Sequence, residues 1–460
     1  MLVTGVVVAV WVAPAAWARA TSGARTTADE PHYIMTAISL AEDRSLDVSD
    51  ERAAGRYRPF HEVGLPLQEE TQTDGSRISP HDPLLPALLA VPVATGGWLA
   101  GKLTLALMAG GLAALLVWTA VRRFGVSLRV ALVVVLASST AAPLAMYGTQ
   151  VYPELAAALA VTVAIAALTG PLGRGGLITF GLAIVALPWL SVKYAPVAAA
   201  LVVVALVGLV RGGDRRRAAL LAGGLALAAA AFAVAHVAWY GGLTPYAAGA
   251  HFTAGELTVA GDPDVLGRAP RLLGLLVDRG FGLVAWAPVF LLVVPAVAAL
   301  ARRRPPGTAA LLLPLTAGWL TATFVALTMH GWWWPGRQVV VVLPAAVLAL
   351  AWWAANVPSV RLAVIVAGVV GALTFAWVVA EALAGRITLV VDFESTTAIW
   401  HRAIRPVLPD GRATPAGTTV LQILWLAVLA AAAALGWRSA APTRASRPTR
   451  AVLAAEHGGV

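Results

Sequence analysis

The residues best suited to chemistry form one short stretch, Asp29-Glu30-Pro31-His32-Tyr33. It places two carboxylates, an imidazole and a phenol side by side, and its proline suits the first turn of a helix. An ionised carboxylate at this position can accept a proton as a general base. It can equally cap the helix by accepting backbone N–H bonds. The two roles are compatible, because a capped carboxylate stays ionised and oriented.

A helix is predicted directly after Asp29, because apolar residues recur there at i, i+3 and i+4 spacing. Met35 lies off this stripe, and Glu42-Asp43-Arg44 ends it. The pattern predicts an amphipathic helix that lies on the membrane surface rather than crossing it. The stripe consists of Tyr33, Ile34, Ala37, Ile38, Leu40 and Ala41.

The composition identifies a membrane protein. Of the 460 residues, 59% are hydrophobic and 12% are charged, about half the charged share of soluble domains. Apolar runs near the length of a bilayer crossing recur along the chain, and alternating strands of a membrane barrel are not seen. Without cysteine there are no disulfides or Cys-ligated metals. The net charge of +10 reflects where the arginines lie, and we expect no nucleic-acid partner.

Twelve apolar runs are predicted to span the membrane as helices, with both termini in the cytoplasm. With this alternation, sixteen arginines fall in cytoplasmic segments together with only two acids, Asp214 and Glu456, as the positive-inside rule requires. A plasma-membrane location is expected. The predicted runs are 2–18, 97–121, 130–147, 153–169, 177–192, 195–210, 218–240, 281–301, 308–329, 338–355, 361–384 and 418–437.

The remaining sequence divides into outer loops and a tail. Residues 1–437 are predicted to form one membrane domain, and 438–460 a basic, disordered cytoplasmic tail. The outer loops are 19–82, 241–280 and 385–417, with no fixed repeat among them. Run 2–18 is alternatively a signal peptide, since Ala18-Arg19-Ala20 resembles a cleavage site, although a basic start is missing. Either interpretation leaves Asp29 on the outer face.

Several later residues are placed at the same outer edge. His81 and Asp82 lie in a proline-rich segment that returns to the membrane, and Glu154 begins a predicted span. Lys193, one of two lysines, and Arg337 are cations at the edge of a low-dielectric region, which suits a phosphodiester. The alternatives are helix caps for the acids and snorkelling for the cations. Aromatic and imidazole neighbours at this edge are Trp189, Tyr194, His330 and Trp334.

An apolar span followed by Asp-Glu-x-x-Tyr at the start of an amphipathic helix in a long first outer loop resembles the GT-C superfamily of glycosyltransferases. It is most similar to the protein O-mannosyltransferase and lipid A aminoarabinose-transferase branch. Leu187-Pro188-Trp189, Lys193-Tyr194 and the turn from His330 to Arg337 fit the same resemblance. It implies an all-α, GT-C-like fold of about twelve transmembrane helices and a polyprenyl-phosphate sugar as donor.

The resemblance also implies an inverting displacement at the anomeric carbon. Asp29 would take the proton of the acceptor hydroxyl, with Glu30 as its substitute or orienting neighbour. Lys193 and Arg337 would offset charge on the departing phosphate, and the tryptophans, Trp334 among them, would stack on sugar or prenyl chain. Tyr33, His81, Asp82, Glu154, Trp189, Tyr194 and His330 are further substrate-binding candidates. The acceptor would be a protein, a glycolipid or a cell-wall glycan, and the sugar a hexose or pentose, with mannose favoured.

Other classes receive less support from the sequence. Twelve spans also suit a transporter or lipid flippase, but the polar residues gather at the outer edge and the two halves differ. A non-catalytic lipid-binding relative stays open. Hydrolase, NTPase and metalloprotease motifs are missing from the sequence. Asp262-Pro263-Asp264 has the form of a metal site, yet such triplets are common in polar loops, so we expect neither metal nor cofactor.

Overall fold

The structure is all-helical, as predicted. The computed structural model describes residues 1–69, 71–249, 265–412 and 415–440, so the D-x-D triplet at 262–264 and the tail beyond 440 lie outside the described residues. Its α-helices are α1 Leu2–Val12, α2 Glu30–Glu42, α3 Ser49–Ala53, α4 Leu84–Phe124, α5 Leu128–Ser139, α6 Leu144–Tyr147, α7 Glu154–Leu168, α8 Arg174–Leu190, α9 Ala195–Arg211, α10 Arg215–Tyr240, α11 Val265–Arg268, α12 Arg271–Val277, α13 Leu283–Trp286, α14 Val293–Arg303, α15 Thr308–Leu320, α16 Leu343–Asn356, α17 Arg361–Leu383, α18 Ile399–Ile404 and α19 Pro415–Ser439.

Short 3-10 segments connect several of these helices. They matter here because two of them, Val192–Tyr194 and Arg337–Val342, carry predicted site residues at their starts. The others are Ala13–Trp17, Pro245–Ala248, Pro288–Leu292, Pro358–Val360, Phe393–Ser395 and Arg405–Val407, and a π-helical turn, Thr321–Val325, follows α15. Between the described residues, strand-like pairing is limited to isolated bridges such as Ala24 with His61.

Every apolar run predicted from the sequence contains helix. Seven helical stretches in the described chain are long and apolar enough to cross a membrane, and four shorter apolar helices accompany them. Run 281–301 is instead broken into α13, a 3-10 turn and α14. The count of twelve crossings therefore stays a prediction.

The second span starts earlier than predicted. Helix α4 begins at Leu84, whereas the apolar run was placed at 97–121. Gly96 and Gly97 interrupt the helix with non-helical dihedral angles, and Gly97 has a φ of +66°. Such a left-handed residue is inexpensive only for glycine. The run near 97 is thus the second part of one kinked helix.

Arginines from several loops meet at one end of the helix bundle. Arg123 Nε donates to the carbonyl of Ala166 (2.9 Å), and Arg303 Nε donates to that of Ala440 (2.8 Å). Arg361 Nε donates likewise to Ala354 (3.0 Å). Cations near helix C-termini are favourable because they face unpaired carbonyls. This gathering fits the predicted grouping of basic loops on one side; which side faces the cytoplasm stays a prediction.

Helix α16 forms the centre of the bundle. Its residues Leu343–Ala354 are all buried, as is usual for a helix that is apolar on every face and surrounded by others. Helices α10 and α19 are instead largely exposed on their apolar surfaces. We infer that these two pack at the periphery, where lipid would cover them.

Helix α2 is more deeply buried in the protein than its apolar stripe predicts. It starts after Asp29, as predicted, but every residue of Glu30–Ser39 is buried, including Met35. One face packs on α4. The first loop covers another, since Ser39 Oγ donates to the carbonyl of Asp47 (2.7 Å). The exposed face that the apolar stripe predicts is therefore missing, because the loop folds over it.

Close packing of α1 on α4 positions the chain that leads into α2. Gly5 and Gly110 face each other so tightly that a Cβ on Gly110 would lie 2.4 Å from the Gly5 carbonyl oxygen. Small residues allow such helix contacts in membranes. Gly110→Val should therefore destabilise the protein by about 1–3 kcal/mol, measured as a lower Tm in detergent. Gly111→Val is the matched control, since a Cβ there meets nothing within 4 Å; equal Tm losses would contradict this packing.

Candidate active site

Four charged residues from separate parts of the sequence meet at the bundle end opposite the arginine cluster. Asp29 precedes α2 and Glu154 begins α7, while Lys193 and Arg337 lie in the two 3-10 segments that precede α9 and α16. Each therefore stands where a helix starts. Gly336, with a φ of +84°, provides the turn that directs Arg337 into the protein.

These residues form a linear chain of alternating charges, here called the charge chain. Arg337 Nη2 donates to Asp29 Oδ2 (2.7 Å), and Arg337 Nε donates to Glu154 Oε1 (2.9 Å). Lys193 Nζ donates to the same Glu154 oxygen (2.7 Å). Two cations and two anions thus neutralise one another at close range. Charge-assisted hydrogen bonds of this kind are the strong ones in proteins.

The two ends of the charge chain are accessible and its middle is not. The side chains of Asp29 and Lys193 are 22% and 24% exposed, whereas those of Arg337 and Glu154 are 8% and 0% exposed. The guanidinium carbon of Arg337 lies 4.0 Å from the ring centroid of Tyr152, which helps hold it in place. A ligand at this site would therefore meet the carboxylate of Asp29 and the amine of Lys193 first.

Asp29 stands at the N-cap position of α2 but does not cap it. Its side chain accepts no bond from the helix backbone, so the predicted capping role is wrong. The preceding residue, Ala28, has a φ of +48°, which is uncommon for a residue with a Cβ. Local strain of this kind persists where surrounding structure enforces it and is frequent at functional sites. The carboxylate is turned toward Arg337 instead.

The surroundings of Asp29 keep it ionised. Burial raises the pKa of its carboxyl group, but the charge of Arg337 and contacts with His81 outweigh burial and hold that pKa well below the usual range. His81 Nε2 lies 3.6 Å from Asp29 Oδ1, and Gln68 Nε2 lies 3.4 Å from the same oxygen. A neighbouring cation thus keeps this largely buried carboxylate ionised.

Glu30 does not share this environment. Its side chain has no exposed surface, and its Oε2 lies 3.5 Å from Lys102 Nζ on α4. Burial raises the pKa of Glu30 despite that lysine. Adjacent helical residues diverge by about 100°, so Glu30 points into the protein while Asp29 faces the site. The predicted role of Glu30 as a substitute base is incompatible with this burial.

His81, Asp82, Tyr33 and Tyr194 surround the accessible ends of the charge chain. The rings of Tyr33 and His81 lie 4.6 Å apart, and the ring centroid of Tyr194 lies 5.3 Å from Lys193 Nζ. Asp82 Oδ2 accepts the backbone N–H of Val192 (2.9 Å), the residue before Lys193. The sequence thus placed these four residues in the correct neighbourhood.

Three predicted binding residues make other contacts and, in the described part of the structure, none with the charge chain. Trp189 packs against His236 on α10, with ring centroids 5.4 Å apart. His330 Nε2 lies 3.6 Å from Asp278 Oδ1 and so belongs to a different loop contact. Trp334 is 1% exposed and packs on Trp286, so its predicted stacking on a sugar or prenyl chain is wrong. Trp334 therefore belongs to the apolar interior of the protein.

A cavity of about 730 Å³ opens beside the site but does not include the charge chain. Leu40, Pro83, Trp189 and Trp239 are among its lining residues. Pro83 directly follows Asp82, so one short segment separates the cavity from Asp29. An acidic group of Asp43, Asp50 and Glu51 lies at the far end of α2, outside the charge chain.

Sequence reasoning missed several contributors. Tyr152, Gln68, His236 and Lys102 each contact a predicted site residue, yet none was assigned to the site. Tyr152 is two residues before Glu154, and its aromatic ring at a membrane edge was an available signal. Gln68 lies in an irregular loop without a period, which gives no such signal. Partners on distant helices require the tertiary structure.

A comparison with solved structures matches this chain to two structures of one protein. The apo state of ArnT from Cupriavidus metallidurans matches with 15% identity and a TM-score of 0.49, covering 95% of this chain and 77% of that one. ArnT from the same organism bound to undecaprenyl phosphate matches with 13% identity and a TM-score of 0.43, covering 94% and 77%. No family model matches the chain, and no curated protein matches it.

Proposed function

We propose that this chain is an integral membrane glycosyltransferase. It moves a sugar from a polyprenyl-phosphate donor to an acceptor hydroxyl on the extracytoplasmic face. The charge chain carries the proposal, because it holds an accessible carboxylate and an accessible amine at the two ends of a buried Arg–Glu pair. A base for a hydroxyl and a cation for a phosphodiester are thereby positioned beside membrane spans. The sequence resemblance supports the polyprenyl-phosphate donor.

The reaction is a direct displacement with inversion. Asp29 takes the proton of the acceptor hydroxyl while that oxygen bonds to the anomeric carbon. The bond from this carbon to the phosphate oxygen breaks, and the polyprenyl phosphate leaves with the electron pair. Lys193, the more exposed cation, contacts the phosphate. Arg337, which is more deeply buried, offsets the negative charge that grows on the departing phosphate. No metal is needed for this charge balance.

Donor binding also prepares the base. In the free protein, Asp29 accepts a hydrogen bond from Arg337 and is a weak base, since its pKa is low. A phosphate at Lys193 competes for Arg337, which loosens the hold of Arg337 on Asp29 and raises the pKa of Asp29. The carboxylate then gains basicity only when the donor is present. Donor should accordingly bind before acceptor, and little water should be activated without it.

This electrostatic arrangement predicts a pH profile. Because the pKa of Asp29 lies well below 3.8, kcat/KM should show no fall due to Asp29 between about pH 8 and 4.5. His81→Gln removes one interaction that lowers this pKa, so the acid limb should move to higher pH. The measurement is kcat/KM against pH in detergent micelles. A downward movement, or a wild-type limb near pH 6, would contradict the assignment.

A transfer assay tests the proposal itself. Purified protein in micelles is given radiolabelled polyprenyl-phosphate sugars and membrane acceptors, and labelled product is counted. Undecaprenyl phosphate, the lipid in one ArnT structure, is the first carrier to test. Transfer with inversion supports the proposal. Absence of transfer with every donor, together with movement of the intact donor across vesicles, would favour the flippase alternative.

A further inference from the structure

A buried acid–imidazole pair links the periphery of the bundle to the site. His236 on α10 has no exposed surface, and its Nε2 lies 2.9 Å from Asp82 Oδ1. Asp82 Oδ2 accepts the backbone N–H of Val192 (2.9 Å). One helical turn further along, Tyr240 Oη donates to the carbonyl of His81 (2.9 Å). Two side chains on one face of α10 therefore hold two adjacent residues of the active-site loop.

The hydrogen-bond partners fix the number of protons in this pair. His236 Nδ1 lies 2.9 Å from the carbonyl oxygen of Phe232, which can only accept, so Nδ1 carries a hydrogen. Nε2 faces a carboxylate oxygen, and two acceptors cannot bond without a proton between them. Asp82 and His236 thus share one proton beyond those of a neutral imidazole and a carboxylate. The pair then has no net charge, which suits its burial.

In the described part of the chain, the other ring contacts of His236 are with aromatic side chains. Phe232 stacks on its ring with centroids 3.7 Å apart, and Trp189 and Trp239 lie 5.4 and 6.4 Å away. The C-terminal part of α10 is otherwise largely exposed. Besides His236, its buried residue is Tyr240. Among the described residues, Asp82 accepts hydrogen bonds from His236 and from the backbone N–H of Val192.

We infer that His236 is a positioning residue for the reaction, acting through Asp82 on the Val192–Tyr194 turn. This inference rests on the proposed function. Asp82 holds the N–H of Val192, and the next residue is Lys193, which bonds Glu154 at 2.7 Å. Loss of His236 leaves the buried Asp82 carboxylate short of a donor, so Asp82 turns away and the turn carrying Lys193 loosens. Lys193 then no longer meets the donor phosphate in a fixed position.

Three variants test this role. His236→Leu removes the donor, His236→Gln keeps an N–H donor for Asp82, and Val237→Leu changes a neighbouring exposed position as control. In the transfer assay, His236→Leu should lower kcat/KM for the polyprenyl-phosphate donor about 10- to 100-fold. His236→Gln should stay within a few-fold of wild type. Equal losses in the Leu and Gln variants, or full activity in His236→Leu, would overturn the inference.

Two further measurements are independent of activity. Hydrogen exchange of the Val192 amide should be faster in His236→Leu than in wild type, and unchanged in Val237→Leu. The ¹⁵N spectrum of labelled imidazole should show His236 Nδ1 protonated; an unprotonated Nδ1 would overturn the proton assignment. If wild type transfers no sugar, the proposed function fails, while these two results still establish or refute the coupling of His236 to the Lys193 turn.

Discussion

Replacing Asp29 with asparagine is expected to lower the rate of sugar transfer by about 10³- to 10⁴-fold, the upper range for loss of a general base. The amide has nearly the same shape, so the change isolates the lost proton acceptor. The amide oxygen can still accept the hydrogen bond that Arg337 Nη2 donates to Asp29 Oδ2 at 2.7 Å, but it carries no negative charge. Transfer is measured as initial rate at saturating donor. KM for the donor should change far less, because Lys193 keeps its bond to Glu154.

The matched control for this prediction is Asp43→Asn. Asp43 ends the same helix, α2, and is exposed at its far end. It should retain wild-type transfer, since neither Arg337 nor Lys193 contacts it in the described part of the chain. Asp29→Asn with full activity, in protein whose Tm matches wild type, would remove Asp29 from the mechanism. Equal losses in both variants would mean that α2 is damaged generally.

The sequence predicted which charged residues lie near one another better than it predicted how their side chains contact. Asp29 and Arg337 are 308 residues apart, yet charge distribution and span count placed both at one end of the bundle. That reasoning works because membrane spans force loops to one side or the other. It gives no side-chain directions. Glu154 could therefore be taken for a simple helix start, although it joins Lys193 to Arg337.

The failures share a physical cause. Glu30 and Trp334 were assigned by their neighbours in sequence, but neighbours on a helix or tight turn face different directions. Met35 lies off the apolar stripe, which predicts one buried face of α2; the loop that covers α2 buries the other face as well. Periodicity reports one contact surface, and only tertiary structure reveals the second.

Removing the guanidinium of Arg337 is expected to have the other large effect, on both stability and transfer. Arg337→Gln leaves Asp29 and Glu154 without their shared partner, and breaking a buried ion pair in this way costs about 3–5 kcal/mol. Transfer should fall at least about 10²- to 10³-fold, the loss typical for one transition-state donor. Arg337→Lys should recover part of the stability only, because one ammonium cannot bond both carboxylates in the planar geometry of arginine. The control is Arg405→Gln, which alters a partly buried pair with Glu394 outside the charge chain.

A double variant separates the structural from the chemical contribution of Arg337. Arg337→Gln with Glu154→Gln removes a buried cation together with a buried anion, so most of the lost Tm should return. Transfer should not return, because Asp29 still lacks the cation that orients it and offsets charge on the leaving phosphate. Tm from thermal unfolding and initial transfer rates are measured on the same preparations. Recovery of both would mean that Arg337 only balances Glu154. Recovery of Tm alone would mean that its charge is needed at the phosphate and at Asp29 during transfer.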